Sequence, residues 1–149
     1  MSHSKLGEFE IDWGLFTCAP GNPWVRVERE IWVVSDRLSL CVPMGMWCDG
    51  ASVPNGLWSM LTLTPLMMLL YGTVHDFMYR KDCLITLDDE PVTPTRVQAD
   101  VIFRGLVAST GESYLGDARR CYYAVRVAGG SSYHQRDTRF GWVGSVWGE

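Results

Sequence analysis

Apolar and polar positions alternate through the segment WVRVEREIWVV, residues 24–34. Val25 and Val27 alternate with Arg26 and Glu28, and the pattern then closes into a solid apolar run from Ile31 to Val34. Alternation resumes in LSLCVP, residues 38–43, which sets Leu38, Leu40 and Val42 on one face. Ser35, Asp36 and Arg37 between them are turn formers, so the pair predicts an antiparallel hairpin. The stretch PMGMWCDGASVPNG carries Pro43, Gly45, Gly50, Pro54 and Gly56, a spacing that predicts a long loop of the kind that bears function.

The period changes after Pro65. Leu66, Leu69, Leu70, Val74 and Phe77 recur at three- and four-residue intervals and predict a helix to about Arg80, with Gly72 a weak point within it. LDDEPVTP reads as a polar connection. Thr93 before Pro94 predicts a capping hydroxyl with proline at the first helical position, opening a helix that runs to about Ser109 and stops before Gly111. A third helix is predicted from about Ser113 to Ala128, ending at Gly129-Gly130. Leu115, Ala118, Cys121, Tyr122 and Val125 form its apolar stripe, and Arg119 and Arg126 share another. The last residues, SSYHQRDTRFGWVGSVWGE, show no period and suit either a strand pair or an aromatic arm. The expectation is one α+β domain over residues 1–149. It comprises an N-terminal segment (1–22), a core (23–130) of an antiparallel hairpin or small sheet and about three packed helices, and an irregular, aromatic and glycine-rich tail (131–149).

Composition narrows this picture. A chain of 149 residues, 47% hydrophobic and 20% charged, can bury a core without staples. A net charge of -4 gives no general attraction to phosphate backbones, so nucleic acid is not an expected partner without a local basic patch. Five cysteines, with no C-x-x-C pair, fit free thiols in a reducing compartment better than a disulfide framework or zinc ribbon. The N-terminus lacks the apolar region of a signal peptide. Residues 50–74 carry no charge over a length sufficient to cross a bilayer, but Pro54, Asn55, Ser59, Thr62, Thr64 and Pro65 interrupt them. The run is therefore read as an irregular apolar loop before a core helix, and no membrane span is expected.

Four polar residues stand in surroundings that do not solvate them. Asp49 is the only charge between Arg37 and His75, His75 and Asp76 end the apolar helix, and Asp100 lies among Val97, Phe103 and Val107. A carboxylate on an apolar face must be paired, hydrogen-bonded, metal-bound or shifted in pKa. Asp49, His75 and Asp100 together suit a divalent cation of unspecified identity, which activates water and polarises a phosphoryl or acyl group. Alternatively, His75 is a general base whose tautomer Asp49 or Asp100 fixes. Neighbours on a helix diverge by about 100°, so His75 and Asp76 do not share a target while the helix continues. Structural roles stand beside these: an Asx-turn at Asp49, helix ion pairs Asp76–Arg80 and Asp100–Arg104, and a core histidine at 75. Ser52 reads as a loop hydrogen-bonder, Cys48 as an inert buried thiol, Arg119 and Arg126 as a solvated helix face, and His134 as a surface residue.

Four blocks in order, VPMGMWCDGASVP, HDFMY, QADVIF and YYAVRVAGG, resemble the DUF1353 family, small proteins of phages, prophages and bacteria. That family's pattern is a P-x-G-F-x-T-D-x-A-S-x-P loop, an H-D-x-L-Y helix end, an A-D-x-x-F helix and a late A-V-R-x-x-G. This chain departs from it at Met46, Cys48 and Met78 but retains the polar residues Asp49, Ser52, His75, Asp76, Asp100 and Arg126. The resemblance implies a phage or prophage origin and supplies no activity. HD-type metal phosphohydrolases fit poorly, because they need a further upstream helical histidine and only His3 precedes the pair. The resulting expectation is a phage-associated, metal-assisted hydrolase acting on a cell-wall or phosphoester bond. His75, Asp49 and Asp100 would act as acid/base groups or metal ligands, Asp76 as an orienting group, and Ser52, Tyr79 and Arg126 in support. The alternative is a non-catalytic virion, tail-assembly or host-interaction protein. Phage structural proteins or a host factor would be the partners, in the host cytoplasm or the virion.

Overall fold

The computed structural model describes residues 3–6, 9–12, 16–18, 25–48, 61–131 and 133–134. In chain order the described strands are β1 (His3–Leu6), β2 (Phe9–Asp12), β3 (Phe16–Cys18), β4 (Val25–Val27), β5 (Ile31–Val34), β6 (Leu38–Val42), β7 (Trp47–Cys48), β8 (Ile85–Leu87) and β9 (Glu90–Val92). The described helices are α1 (Pro65–Met78), α2 (Arg96–Ala108) and α3 (Leu115–Ala128), with short three-ten turns at Glu112–Tyr114 and Gly129–Ser131. The fold is α+β. An antiparallel sheet runs β1-β2-β5-β6-β8-β9, and β3-β4-β7 form a second one.

The expected hairpin is β5–β6, with Ile31 opposite Val42 and Val34 opposite Ser39, closed by the Ser35 amide on the Leu38 carbonyl at 2.8 Å. The strand expected over 24–34 is divided. Residues 28–30, Glu-Arg-Glu, separate β4 from β5, and the two strands join different sheets. The solid apolar run is not buried on both sides: Ile31 and Val33 are enclosed, whereas Trp32 and Val34 are exposed. Within the N-terminal segment, residues 1–22, lie β1, β2 and β3. The segment read as a polar connection is the β8–β9 hairpin. Its turn residues Asp88 and Asp89 both hold positive φ (50° and 65°), the geometry whose twist matches that of the flanking strands.

The loop beginning at Pro43 first makes a tight turn. Gly45, at φ 89°, donates its amide to the Val27 carbonyl, and Val27 donates in turn to Met46. The chain then forms β7 against β4.

Helix α1 opens as sequence chemistry dictates, with the Thr64 hydroxyl accepting from the Met67 amide and Pro65 at the first helical position. Every residue from Leu70 to Arg80 is buried, so the apolar composition of this stretch reflects a central helix enclosed on all sides. Among the described residues no helix is long and apolar enough to cross a membrane. The Thr-Pro pair at 93–94 does not cap α2. Thr95 does, because its hydroxyl accepts from Gln98 N while the Gln98 side chain accepts from Thr95 N, a reciprocal capping box. In α3, Ala118, Cys121 and Val125 are buried as their stripe predicts and Tyr122 is half-buried, but Leu115 is exposed.

Candidate functional site

The site is built where α1 ends against α2 and α3. His75 and Tyr79, four apart, share one face of α1 and point at Asp100 of α2. Asp100 Oδ1 lies 2.8 Å from His75 Nε2 and accepts the Tyr79 hydroxyl at 2.6 Å, while Oδ2 accepts Arg126 Nη1 of α3 at 2.9 Å. The Asp100 side chain is fully enclosed, and that of His75 is 2% exposed. Burial would raise the Asp100 pKa, but hydrogen bonds from His75, Tyr79 and Arg126 outweigh it and hold the carboxyl below its ordinary value. An ionised carboxylate only accepts, so His75 Nε2 carries the hydrogen and Nδ1 is the ring nitrogen left over. Burial, with the Asp100 carboxylate adding to it, pushes the Tyr79 hydroxyl far above its usual range and keeps it a donor.

The imidazole is also held by its rings. It packs tilted on Tyr79 at 4.2 Å and on Phe103 at 4.7 Å between centroids. Tyr79 meets the edge of Tyr133 at 5.2 Å, and the Tyr133 hydroxyl donates to the Pro94 carbonyl. Gly129, the residue after α3, allows the hydroxyl of Tyr79 to reach Asp100: a Cβ at 129 would sit 2.7 Å from that oxygen. Arg96 fixes the same corner by donating to the carbonyls of Val125 and Arg126 at 2.8 and 2.6 Å and to the Tyr79 hydroxyl at 3.4 Å. It thereby adds a donor to the Val125 carbonyl, which also accepts the Gly129 amide, and supplies one to that of Arg126, holding the last turn of α3 beside the start of α2.

Asp76 faces elsewhere, as adjacent helix positions require. It pairs with Arg80 at 2.5 Å, and Arg80 also donates to the Trp47 carbonyl of β7 at 2.7 Å. Cys48 lies 3.3 Å from the Thr73 hydroxyl, which itself donates to Leu69 O. Strand β7 is therefore seated on the side of α1 that carries Thr73, Asp76 and Arg80, while the adjoining side carries His75 and Tyr79. Asp49 and Ser52 lie outside the described residues.

The structure brings together His75, Tyr79, Asp100 and Arg126, and it separates Asp76 from them. The expected Asp76–Arg80 ion pair is present. Asp100, however, pairs with Arg126 rather than Arg104, whose guanidinium lies over the Tyr122 ring at 4.5 Å. Arg126 is thus not a merely solvated residue: its side chain is 31% exposed and one nitrogen reaches the buried carboxylate. His134 is half-buried rather than superficial, stacked on Tyr133 at 3.8 Å with its amide on the Tyr79 carbonyl. Among the described residues no group of three His, Cys, Asp or Glu side chains is placed to hold a metal ion. The thiols at 83 and 121 are pushed up to about 12 by burial, which makes them inert.

Sequence reasoning missed Arg96, Gly129 and Tyr133, whose roles depend on which helix ends meet. It also missed Asp117, a buried carboxylate in the first turn of α3. Asp117 Oδ2 accepts from the amides of Thr62 and Leu63 and from the Thr62 hydroxyl, tying the approach to α1 onto α3. An acidic residue in a first turn already suits the helix dipole, which concealed this second role.

No curated protein and no solved structure matches the chain. Residues 25–125 match the family model described as protein of unknown function DUF1353. That match takes in β7, the His75-Asp76 pair and Asp100 in one run over most of the chain, and the chain belongs to the DUF1353 family.

Proposed function

We propose that the protein is a hydrolase whose working group is the His75 imidazole, with Asp100 as its orienting carboxylate. The observation that carries this reading is the 2.8 Å contact between His75 Nε2 and Asp100. A carboxylate on one ring nitrogen fixes the tautomer and raises the basicity of the other, the arrangement found behind catalytic bases and metal-ligating histidines. With both Asp100 oxygens engaged, Asp100 holds the ring, and Nδ1 takes the proton of an attacking water. Tyr79 and Arg126 keep the carboxylate ionised and immobile. Asp49 and Ser52 remain sequence candidates for the same chemistry: with His75 Nδ1, the Asp49 carboxylate would make a donor set suited to a divalent ion. Such an ion would supply Lewis-acid polarisation of a cell-wall or phosphoester bond. A phage or prophage setting suits either substrate.

The saturation of Asp100 favours a second reading. Three donors on a fully enclosed carboxylate form a lock between α1, α2 and α3. On that reading the chain is a non-catalytic virion, tail-assembly or host-interaction protein. The experiment that separates the two compares wild type, Asp49→Ala and His75→Ala for metal content, for melting temperature with and without divalent ions, and for release of product from peptidoglycan and from phosphodiester substrates. Ion-dependent hydrolysis lost in a folded Asp49→Ala protein supports the hydrolase. No ion response in any protein, with His75→Ala merely less stable, supports the lock.

A further inference from the structure

Helices α2 and α3 run antiparallel, because Arg96 at the start of α2 meets the carbonyls of Val125 and Arg126 at the end of α3 while Arg104 lies over Tyr122. That register sets the first turns of α2, which carry Val97 and Val101, alongside the last turns of α3, which carry Tyr123 and Val127. All four are exposed, Tyr123 at 72% and Val127 at 68%. Single exposed valines are ordinary, but two pairs at four-residue spacing on abutting helix ends make a patch, and contiguous apolar patches mark contact surfaces.

Among the described residues of α2 and α3, the exposed charge beside the patch is positive. Arg104 and Arg119 are exposed beside it, and Arg126 is partly so. Between residues 96 and 128 the acidic side chains are Asp100, Glu112 and Asp117. Asp100 and Asp117 are buried against their own donors, which leaves Glu112 on the surface. The chain as a whole is net -4, so this face is basic against the general trend; exposed acids such as Asp82, Asp88 and Glu90 belong to turns and strands elsewhere.

We propose that the outer face of α2 and α3 docks an acidic segment of another protein that carries apolar side chains. Arginine and tyrosine are enriched where proteins meet, and opposed charge steers and registers such contacts. The valines and Tyr123 give the partner's apolar side chains a surface, and Arg104 and Arg119 meet its carboxylates. The proposal goes beyond the hydrolase reading and does not rest on it.

The test uses the full chain, isotope-labelled, titrated with a synthetic amphipathic peptide of leucine and glutamate. A leucine–lysine peptide of the same pattern and vesicles of phosphatidylcholine with phosphatidylglycerol serve as comparisons. Amide shifts confined to residues 97–104 and 119–127, with affinity reduced about tenfold or more in an Arg104→Glu/Arg119→Glu variant of unchanged melting temperature, are expected. Four outcomes overturn the proposal: equal binding of the leucine–lysine peptide, binding to the vesicles alone, shifts elsewhere or none, and the same amides shifting on simple dilution, which would assign the face to a second copy of the chain.

Discussion

Gly129→Ala is a substitution whose sign the local geometry reverses. Gly129 has ordinary helical dihedrals, φ -81° and ψ -9°, so alanine is at ease there and by chain entropy alone would stabilise by about 0.4–1 kcal/mol. Its Cβ, however, would lie 2.7 Å from the Tyr79 hydroxyl and 3.2 Å from a ring carbon. Relief requires the hydroxyl to withdraw by roughly 0.7 Å or more to reach an ordinary contact distance. That oxygen is held by Asp100 at 2.6 Å, and its ring rests on Tyr133. Overpacking costs about 1–3 kcal/mol, and loss of a hydrogen bond to a charged group costs about 1.5–3 kcal/mol. Partial relaxation and the entropy gain offset some of this, so a net loss of about 1–3 kcal/mol is expected. For a domain of this size that corresponds to a melting temperature lower by roughly 3–10 °C. Urea denaturation followed by circular dichroism measures it directly. Gly130→Ala is the control: its Cβ comes no nearer than 3.4 Å to Arg96, an ordinary contact, and the change should stay within about 0.5 kcal/mol. Combining Gly129→Ala with Tyr79→Phe removes the obstructing oxygen, so the two losses should fall short of additive by about 1–2 kcal/mol. A Gly129→Ala protein as stable as wild type, or strict additivity, would refute the packing of Tyr79 described above.

Asp100 gives a pH prediction. Its folded pKa lies below the unfolded value of about 4, so its contribution is complete above that value and is lost as pH falls through the lower, folded one. Urea midpoints should therefore fall in acid below about pH 4, and Asp100→Asn should flatten that limb relative to wild type. Asp117→Ala strands the amides of Thr62 and Leu63, costs about 2–3 kcal/mol, and should speed hydrogen exchange at residues 61–64 while the end of α2 is unaffected. Thr95→Ala should cost about 1 kcal/mol in a denaturation measurement, whereas Thr93→Ala should be near neutral, since Thr95 makes the capping box.

Much of the fold can be read directly from period and punctuation. Strands β4 and β6 alternate as their burial does, and α2 and α3 end at Ser109 and Gly129 as their stop signals indicate. Elements of three residues escape such a reading. β8 and β9 have too few positions to show a period, and their Asp88-Asp89 turn resembles any polar linker until its positive φ values are known. Thr93-Pro94 and Thr64-Pro65 carry the same local signal, and only the reach of Gln98 to Thr95 decides that the former is not a cap. Asp100 was conspicuous because a carboxylate on an apolar stripe must have a partner. Its partners were not: Tyr79 lies 21 residues before it and Arg126 lies 26 after, and no local rule gives the register of helices that far apart. The divergence of His75 and Asp76, by contrast, follows from helix geometry alone and is present in the structure.

The proposed role of His75 can be tested by the nitrogen-15 chemical shifts of its ring, recorded across neutral pH and then with a divalent ion such as zinc added in stoichiometric amount. A proton on Nε2, with a selective shift of Nδ1 on adding the ion that is absent from Asp49→Ala, is the expected result. A ring whose Nδ1 does not respond to any divalent ion would contradict the hydrolase reading and leave His75 and Asp100 as a lock between helices.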